Sequence, residues 1–378
     1  MNVYIMCYVI ITCMFLLLSN RRFSLAVTSW TLERSYDIKM RQQKKLFVFV
    51  SCMVLIGVIG LRSEYQGIDL HNSVGTGYFY VYDIVCGDTV GDIFRFFNVK
   101  RYANFEIGYV LFNKAISVIT KEHWILLFAT SLISIAPVGY FIYHNSKNAW
   151  LSFVVYMSLP FFTSAYFSAI RQGIAIGMAV YSYKYIKGKK LLAFLLVTIL
   201  ATQFHKSAIV YFLAYPIYHI KLKKRDSLML GGIIIGFFYI LRVPLFMLLS
   251  KIIRSSVDID NNGAVNYLLL LTGIYMLCVL FGDEHNSESC GLRNLFLLGC
   301  FSQAFAGVYS TAGRVTWFFL PVLIILIPNL LEELKIKERQ IVKPISWVIG
   351  VLAIVLGLYY LRYDMIADAY PYVPYWRQ

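Results

Sequence analysis

A small set of charged and polar side chains lies inside or beside long apolar runs of this chain. Arg171 and Gln172 open one such run, and His205 and Lys206 lie at the break between two others. A charged group in hydrocarbon is costly unless it faces water or a partner, so such residues mark functional sites. Guanidinium binds phosphate oxygens in a fork, and histidine accepts protons near neutral pH. These residue types therefore indicate a site that binds phosphate and accepts a proton.

Helical rise converts the sequence positions of these residues into depth. Arg171 lies roughly 20 Å from the basic cluster at 184–190 when each residue rises 1.5 Å. The chain between that cluster and the next, at 221–225, must cross a membrane twice, so each leg reaches only ~22 Å. The turn that carries His205 and Lys206 then lies just below the membrane surface on the side away from these basic clusters. By the same arithmetic Arg62 lies roughly 25 Å from the end of the basic cluster at 21–45. These groups therefore lie at one depth in the membrane.

An alternative is that each of these residues snorkels or caps a helix at a membrane boundary. Arg171 and His205 lie in neighbouring runs that end at the same depth, which favours a shared wet pocket. Arg314 opens a later apolar run on the same side, but it lies so near the interface that snorkelling explains it well. A pocket lined by arginine suits the diphosphate of a lipid headgroup, because guanidinium stays charged and binds two oxygens at once.

The elements that must position these side chains are predicted to be transmembrane helices. Hydrophobic residues make up 59% of the chain and charged residues only 15%, which excludes an ordinary soluble domain. The net charge of +15 falls in short clusters between apolar runs, as the positive-inside rule requires, and does not indicate nucleic-acid binding. The first run is interpreted as an anchor, since no cleavage site follows it. Twelve spans are predicted, at 3–18, 46–61, 124–143, 149–167, 170–185, 191–204, 206–220, 227–249, 265–281, 292–309, 315–330 and 345–361.

The basic clusters at 21–45, 184–190, 221–225 and 335–343 set the predicted topology, because all four should be cytoplasmic. Residues 62–123 then form an extracytoplasmic loop and both termini lie outside. Within this loop, 105–120 is predicted to be a re-entrant or interfacial helix, because it is short and carries Glu106, Asn113 and Lys114. A thirteen-span alternative would put one basic loop on the wrong side. We therefore expect a single all-α integral membrane domain over 1–378.

The stretch FSAIRQGIAIGMAVYSYKYIKGKKLLAFLLVTILATQFHKSAIVYF, residues 167–212, resembles the core of the EpsG family of Wzy-type polysaccharide polymerases. Arg62, Gly67 and Asp69 resemble the outer-loop pattern of that family, an arginine followed by Gly-x-Asp. One departure is that the tyrosine expected soon after the aspartate is delayed to Tyr78.

Two further segments resemble the same family. FEIGY at 105–109 is similar to its Glu-x-Gly-Tyr segment, and RVTWFFLPVLIILIP at 314–328 is similar to its late span that opens on arginine and ends in proline. The resemblance implies a metal-independent glycosyltransferase without cofactor in the bacterial cytoplasmic membrane. Such an enzyme transfers a growing glycan from one undecaprenyl diphosphate to another lipid-linked repeat unit, and its site faces the extracytoplasmic side. The product is O-antigen, capsule or exopolysaccharide.

The site residues are assigned roles as a hypothesis. The diphosphate would be bound by Arg171 and Arg314, oriented by Gln172 and assisted by Arg62 and Lys206, so that fixed cations replace acid catalysis or a metal. The base that deprotonates the acceptor hydroxyl is left open among three residues. These are Asp69, Glu106 and His205.

Two rival functions use the same substrate. A flippase for lipid-linked oligosaccharides should show two related halves and charges along the whole depth of a central path, whereas the polar groups here gather at one level. An O-antigen ligase shares the chemistry and differs in its acceptor. The expected partners are the undecaprenyl-diphosphate-linked oligosaccharides and membrane lipid, with a chain-length regulator protein as a further candidate.

Overall fold

The computed structural model describes residues 2–20, 30–71, 77–97, 101–103, 105–253, 262–308, 310–337, 339–364 and 368–377. Within these ranges the chain is helical and contains no strand, apart from an isolated β-bridge between Arg62 and Pro374. The predicted all-α class is therefore confirmed. The helices are α1 (Asn2–Asn20), α2 (Trp30–Gly60), α3 (Tyr78–Gly87), α4 (Val90–Phe96), α5 (Ile107–Ser117), α6 (His123–Asn145), α7 (Ala149–Ser158), α8 (Pro160–Phe167), α9 (Ile170–Lys187), α10 (Leu191–Thr202), α11 (Ala214–Tyr218), α12 (Lys224–Ile253), α13 (Asn262–Phe281), α14 (Ser287–Ala304), α15 (Ser310–Thr316), α16 (Leu323–Lys337) and α17 (Arg339–Tyr363).

Four stretches of helix in the described ranges are long and apolar enough to cross a membrane. They are Ile38–Gly60, His123–Asn145, Gly313–Leu334 and Pro344–Tyr363. The pair α7 and α8 adds a fifth if it is one broken span. Shorter apolar helices coincide with several other predicted spans, as Val3–Ser19 and Val265–Phe281 do. The helices thus agree with a membrane protein, and the count of twelve spans stays a prediction. The cluster at 21–45 lies partly outside the described residues, since 21–29 are not among them.

Three of the predicted spans are not formed by one continuous α-helix. The run at 315–330 is interrupted between α15 and α16 by a turn and the 3-10 helix Leu320–Val322. The run at 149–167 is bent by 65° between α7 and α8. Its cause is Pro160, which leaves Leu159 in an extended conformation with ψ of 138°. The run at 206–220 begins as a 3-10 helix, Lys206–Leu213, before α11. A 3-10 helix rises about 2.0 Å per residue, so this short leg reaches further than an α-helix of equal length would.

The helix α5 contains 11 residues. At 1.5 Å per residue it reaches roughly 16 Å, about half of the hydrocarbon thickness. This length agrees with the prediction that 105–120 does not span. Its placement as re-entrant or interfacial stays a prediction.

One compact unit of the chain consists of Met1–Tyr181, Leu200–Lys206 and Ile345–Gln378. The most extensive packing between two helices of this unit is that of α2 against α6. The middle of α9 packs closely on α6, because a Cβ added at Gly177 would lie 2.9 Å from the carbonyl oxygen of Ser134. Small residues at such positions let membrane helices approach each other. This unit contains all but one of the predicted site residues.

The other unit consists of Ser182–Ile199 and Ser207–Pro344. Its centre is α14, which packs on α11, α12 and α13. Arg293 of α14 is buried there, and its Nη2 donates to the carbonyl oxygen of Asp283 at 3.3 Å and to Cys290 Sγ at 2.9 Å. Arg314, the remaining predicted site residue, lies on α15 in this unit.

Candidate active site

Arg171 is the second residue of α9, and three neighbours fix its guanidinium group. Nη1 donates to Glu106 Oε2 in a salt bridge. Nε donates to the hydroxyl of Tyr78 at 3.4 Å. The guanidinium carbon lies 3.9 Å from the ring centroid of Phe105, close enough for a cation–π interaction. The side chain of Arg171 keeps 18% of its surface exposed, so the group is held in one orientation and still reaches the surface of this unit.

Glu106 joins three segments of the chain through its carboxylate. Oε2 accepts from Arg171, while Oε1 accepts the backbone N–H of Lys206 at 2.9 Å. The side chain is only 9% exposed. A buried carboxylate needs charged or hydrogen-bonding partners, and Glu106 has both. The acid therefore ties the start of α5 to the start of α9 and to the turn after α10.

The docking of α5 on this turn depends on Gly108. The backbone N–H of Tyr109 donates to the carbonyl oxygen of Gln203 at 3.2 Å. A Cβ at Gly108 would lie 2.7 Å from that oxygen and 2.7 Å from the Cβ of Gln203. The two segments can approach this closely only because the position lacks a side chain. The glycine of the Glu-x-Gly-Tyr segment thus brings Glu106 within reach of the turn.

A second glycine places Asp69 against the connection between α8 and α9. Gly67 has a φ of +115°, a conformation that other residues rarely adopt. Two residues later, the backbone N–H of Asp69 donates to Ser168 Oγ at 3.1 Å. The N–H of Tyr78 in turn donates to the carbonyl oxygen of Asp69 at 3.2 Å. Asp69 is half-buried, and its backbone is bonded to a residue just before Arg171 and to an aromatic neighbour of Arg171.

Tyr78 contacts Arg171 in spite of the residues that delay it in the sequence. Residues 72–76 lie outside the described ranges, and the chain on either side of them returns to the same place. The sequence places Tyr78 only as the delayed tyrosine of the family pattern, with no predicted contact to Arg171, and it does not single out Phe105. The signal for both was available, since Phe105 precedes Glu106 in the FEIGY segment and Tyr78 is the tyrosine expected after Asp69.

Arg62 lies in the same unit but has a different environment. Its side chain is 0% exposed and donates to the carbonyl oxygens of Ile59, Gln66 and Phe167, at 2.5, 3.2 and 2.9 Å. Burial lowers its pKa to about 10, so it stays charged near neutral pH. In this geometry Arg62 supports the loop that carries Gly67, and its predicted assistance to the diphosphate stays a prediction.

The remaining predicted residues differ in their surroundings. Gln172 is fully buried beside Arg171. His205 is half-buried, and the next residue, Lys206, has an exposed side chain and bonds to Glu106 through its backbone. His205 is therefore one residue from the ion pair. Arg314 is half-buried in the other unit, with its guanidinium carbon 6.0 Å from the ring centroid of Trp317.

The unit thus brings Asp69, Glu106, Arg171, Gln172 and the His205–Lys206 turn together. They come from four separate segments of the chain that hydrogen bonds connect, and together they provide a fixed cation, acidic groups and an imidazole. This set can bind an anion and accept a proton. In the ranges that the structure describes, no group of three or more histidine, cysteine, aspartate or glutamate side chains is arranged to hold a metal ion.

Comparison with known proteins agrees with this picture. Searches of curated proteins and of solved structures found no match. The family model described as EpsG family matches residues 45–376, which is most of the chain and includes every predicted site residue. That family is similar to the Wzy-type polymerases. The chain is therefore a membrane protein that belongs to the EpsG family.

Proposed function

We propose that this protein polymerises undecaprenyl-diphosphate-linked oligosaccharide repeat units by glycosyl transfer at the outer face of the bacterial cytoplasmic membrane. One observation carries most of the support. Two sequence segments that resemble the family, 105–109 and 167–212, meet at one carboxylate, Glu106, which holds Arg171 in place and bonds to the backbone of Lys206. An arginine fixed in this way suits a diphosphate, because its fork is already oriented before the substrate binds.

In the proposed reaction, a hydroxyl of the acceptor sugar attacks the anomeric carbon of the donor glycan. A new C–O bond forms there, and the bond from this carbon to the diphosphate oxygen breaks. The leaving diphosphate takes the bonding electrons, and Arg171 stabilises the charge that develops on it. Gln172 would orient this group, and Lys206, Arg62 and Arg314 are proposed as further groups that favour the anion.

The proton of the acceptor hydroxyl passes to a base on the protein. Both oxygens of Glu106 already accept hydrogen bonds, so this carboxylate is better suited to holding Arg171 than to taking a proton. The backbone of Asp69 bonds to Ser168 and Tyr78, and His205 precedes the residue whose N–H bonds to Glu106, so we keep both as candidate bases. A single substitution of each, Asp69→Asn or His205→Gln, separates them by its effect on the pH profile of polymerisation.

The test is the profile of lipid-linked glycans in a deletion strain that carries variants of the gene. Arg171→Lys and Arg171→Ala should abolish high-molecular-weight glycan and leave the single-repeat lipid intact. Lysine keeps the charge but loses the fork, so the pair separates geometry from charge. Normal glycan ladders from both variants would refute the assignment. Loss of the single repeat from the outer surface would indicate a flippase, and polymer left on the carrier lipid would indicate a ligase.

A further inference from the structure

A second polar cluster lies in the same unit, outside the candidate active site. His123, the first residue of α6, is hydrogen-bonded through Nδ1 to Glu64 at 2.6 Å and through Nε2 to Asp83 at 2.8 Å. Its ring stacks on Phe79 with the centroids 4.3 Å apart and the planes 13° apart. Glu64 is thereby held in one position by a residue from another element.

This cluster lines a cavity of about 340 Å³. Its walls are formed by charged and aromatic side chains, namely Glu64, Lys121, Glu122, His123, Trp124 and Tyr375. The volume is at the lower end of the range for small-molecule sites, roughly 300–1,000 Å³. A sugar ring has apolar C–H groups on its face and hydroxyl groups at its edge. The aromatic rings of this wall can stack on the face, and its carboxylates can accept hydrogen bonds from the hydroxyl groups.

The aromatic part of the wall is a stacked pair. Trp124 and Tyr375 lie with their ring centroids 4.9 Å apart and their planes 13° apart. Tyr375 is held there by the C-terminal tail, because its N–H donates to the carbonyl oxygen of Leu61 at 3.0 Å and the adjacent Pro374 bridges to Arg62. The pair is therefore built by two distant parts of the chain.

The helix α3 connects this cavity with the candidate active site. Tyr78, its first residue, contacts Arg171, while Phe79, its second residue, stacks on His123. Neighbouring residues of a helix point roughly 100° apart, so they serve two different places. A glycan longer than one sugar that reacts beside Arg171 extends beyond that residue, and α3 links Arg171 to His123 in the wall of the cavity.

We propose that the cavity at Glu64, Trp124 and Tyr375 is a sugar-binding subsite for the glycan chain. It takes one uncharged sugar residue, which stacks on the Trp124–Tyr375 pair and donates hydroxyl hydrogen bonds to Glu64. The subsite rests on the proposed polymerase function, and it extends that function by naming where the non-reacting part of the glycan is bound. His123 acts as a positioning residue that keeps Glu64 in the wall.

The experiment measures binding of an oligosaccharide by the full chain in lipid nanodiscs. The probe is the repeat-unit oligosaccharide released by mild acid from the surface polysaccharide of the source strain, without lipid or diphosphate. Binding is measured by saturation-transfer NMR and titration calorimetry. Trp124→Leu should weaken binding about tenfold through loss of the aromatic face. Glu64→Gln, which keeps the shape of the side chain, should weaken it about fivefold.

Trp376→Leu is the matched control, because Trp376 is 63% exposed, neighbours Tyr375 and does not line the cavity. It should change binding by less than about twofold. Equal weakening by Trp124→Leu and Trp376→Leu would overturn the proposal in favour of a membrane-interface role for both tryptophans. Wild-type binding by both Trp124→Leu and Glu64→Gln would also overturn it.

A further variant separates this proposal from the polymerase proposal. Arg171→Lys should bind the probe as the wild type does, since the probe carries no diphosphate. If the deletion strain kept normal polymer while Trp124→Leu lost probe binding, the polymerase proposal would fail and the cavity would stand only as a site that binds sugar. If Arg171→Lys lost polymer while Trp124→Leu bound the probe normally, the subsite alone would fail.

Discussion

Replacing Gly108 by alanine tests how the candidate site is assembled. The added Cβ would lie 2.7 Å from the Cβ and from the carbonyl oxygen of Gln203. Ordinary contact begins near 3.4 Å, so α5 must move by about 0.7 Å from the turn, and a backbone oxygen cannot rotate away. Overpacking of this kind costs about 2 kcal/mol, within the usual range of 1–3.

Helix propensity, taken alone, predicts that Gly108→Ala raises the stability of the protein. Alanine is favoured over glycine inside a helix by roughly 1 kcal/mol, and Gly108 is the second residue of α5. The structure therefore predicts a net loss of stability of about 1 kcal/mol where propensity alone predicts a gain. A shift of 0.7 Å, added to the 2.9 Å between Lys206 N and Glu106, gives about 3.6 Å, which is beyond the range of a hydrogen bond. Misplacement on the order of 1 Å lowers rates by about a hundredfold.

The control is Gly91→Ala in α4. Gly91 is likewise the second residue of a short helix between 62 and 123, but its nearest neighbour would be Thr89 Oγ1 at 3.6 Å. Thermal unfolding in detergent and the polymer ladder of a complemented deletion strain should show a wild-type Gly91→Ala and a destabilised, nearly inactive Gly108→Ala. Equal ladders and equal unfolding temperatures for the two variants would refute the reasoning.

Three further outcomes are expected. Glu106→Gln keeps an acceptor for the turn but removes the charge that holds Arg171, so the polymerisation rate should fall at least about tenfold with little change in unfolding temperature; an unchanged rate would contradict this. Arg62→Ala leaves three carbonyl oxygens without their donor and should lower the free energy of unfolding by about 3 kcal/mol, which denaturant titration measures; a loss below about 1 kcal/mol would count against it. Hydrogen bonds from Arg101 lower the pKa of Asp88, so this carboxylate stabilises the fold above its ordinary pKa and the effect is lost as pH falls through the lowered value. Asp88→Asn should therefore be less stable than the wild type at neutral pH, and the difference should vanish in acid; a difference that persists across the whole pH range would be inconsistent.

The helical class and the residues of the site follow from the sequence because each depends on local pattern. Long apolar runs predict membrane helices, and buried charges such as Arg171 and Glu106 are conspicuous within them. The depth argument also placed His205 and Arg171 at one level. The sequence does not predict their convergence with Glu106, because it depends on tertiary contacts: this carboxylate joins Arg171 at the start of α9 to the turn after α10.

Other features depend on contacts that no local pattern reveals. Arg62 has the same side chain as Arg171, yet it lies among carbonyl oxygens because the loop folds back on Phe167. The 3-10 leg at Lys206–Leu213 depends on backbone geometry that hydropathy does not measure. The break at Pro160, in contrast, follows from the proline itself, although hydropathy does not reveal it. Hydropathy alone therefore overestimates how regular the spans are. The pairing of Trp124 with Tyr375 joins positions far apart in the sequence and needed the fold.

The central claim is that this chain by itself joins lipid-linked repeat units through an arginine held by Glu106. The most direct measurement places the purified protein in proteoliposomes with undecaprenyl-diphosphate-linked repeat units and a chelator, and follows product length with time. We predict polymer from the wild type, and only the starting repeat unit from Arg171→Lys. The absence of polymer from a folded wild type, or equal polymer from Arg171→Lys, would contradict the account.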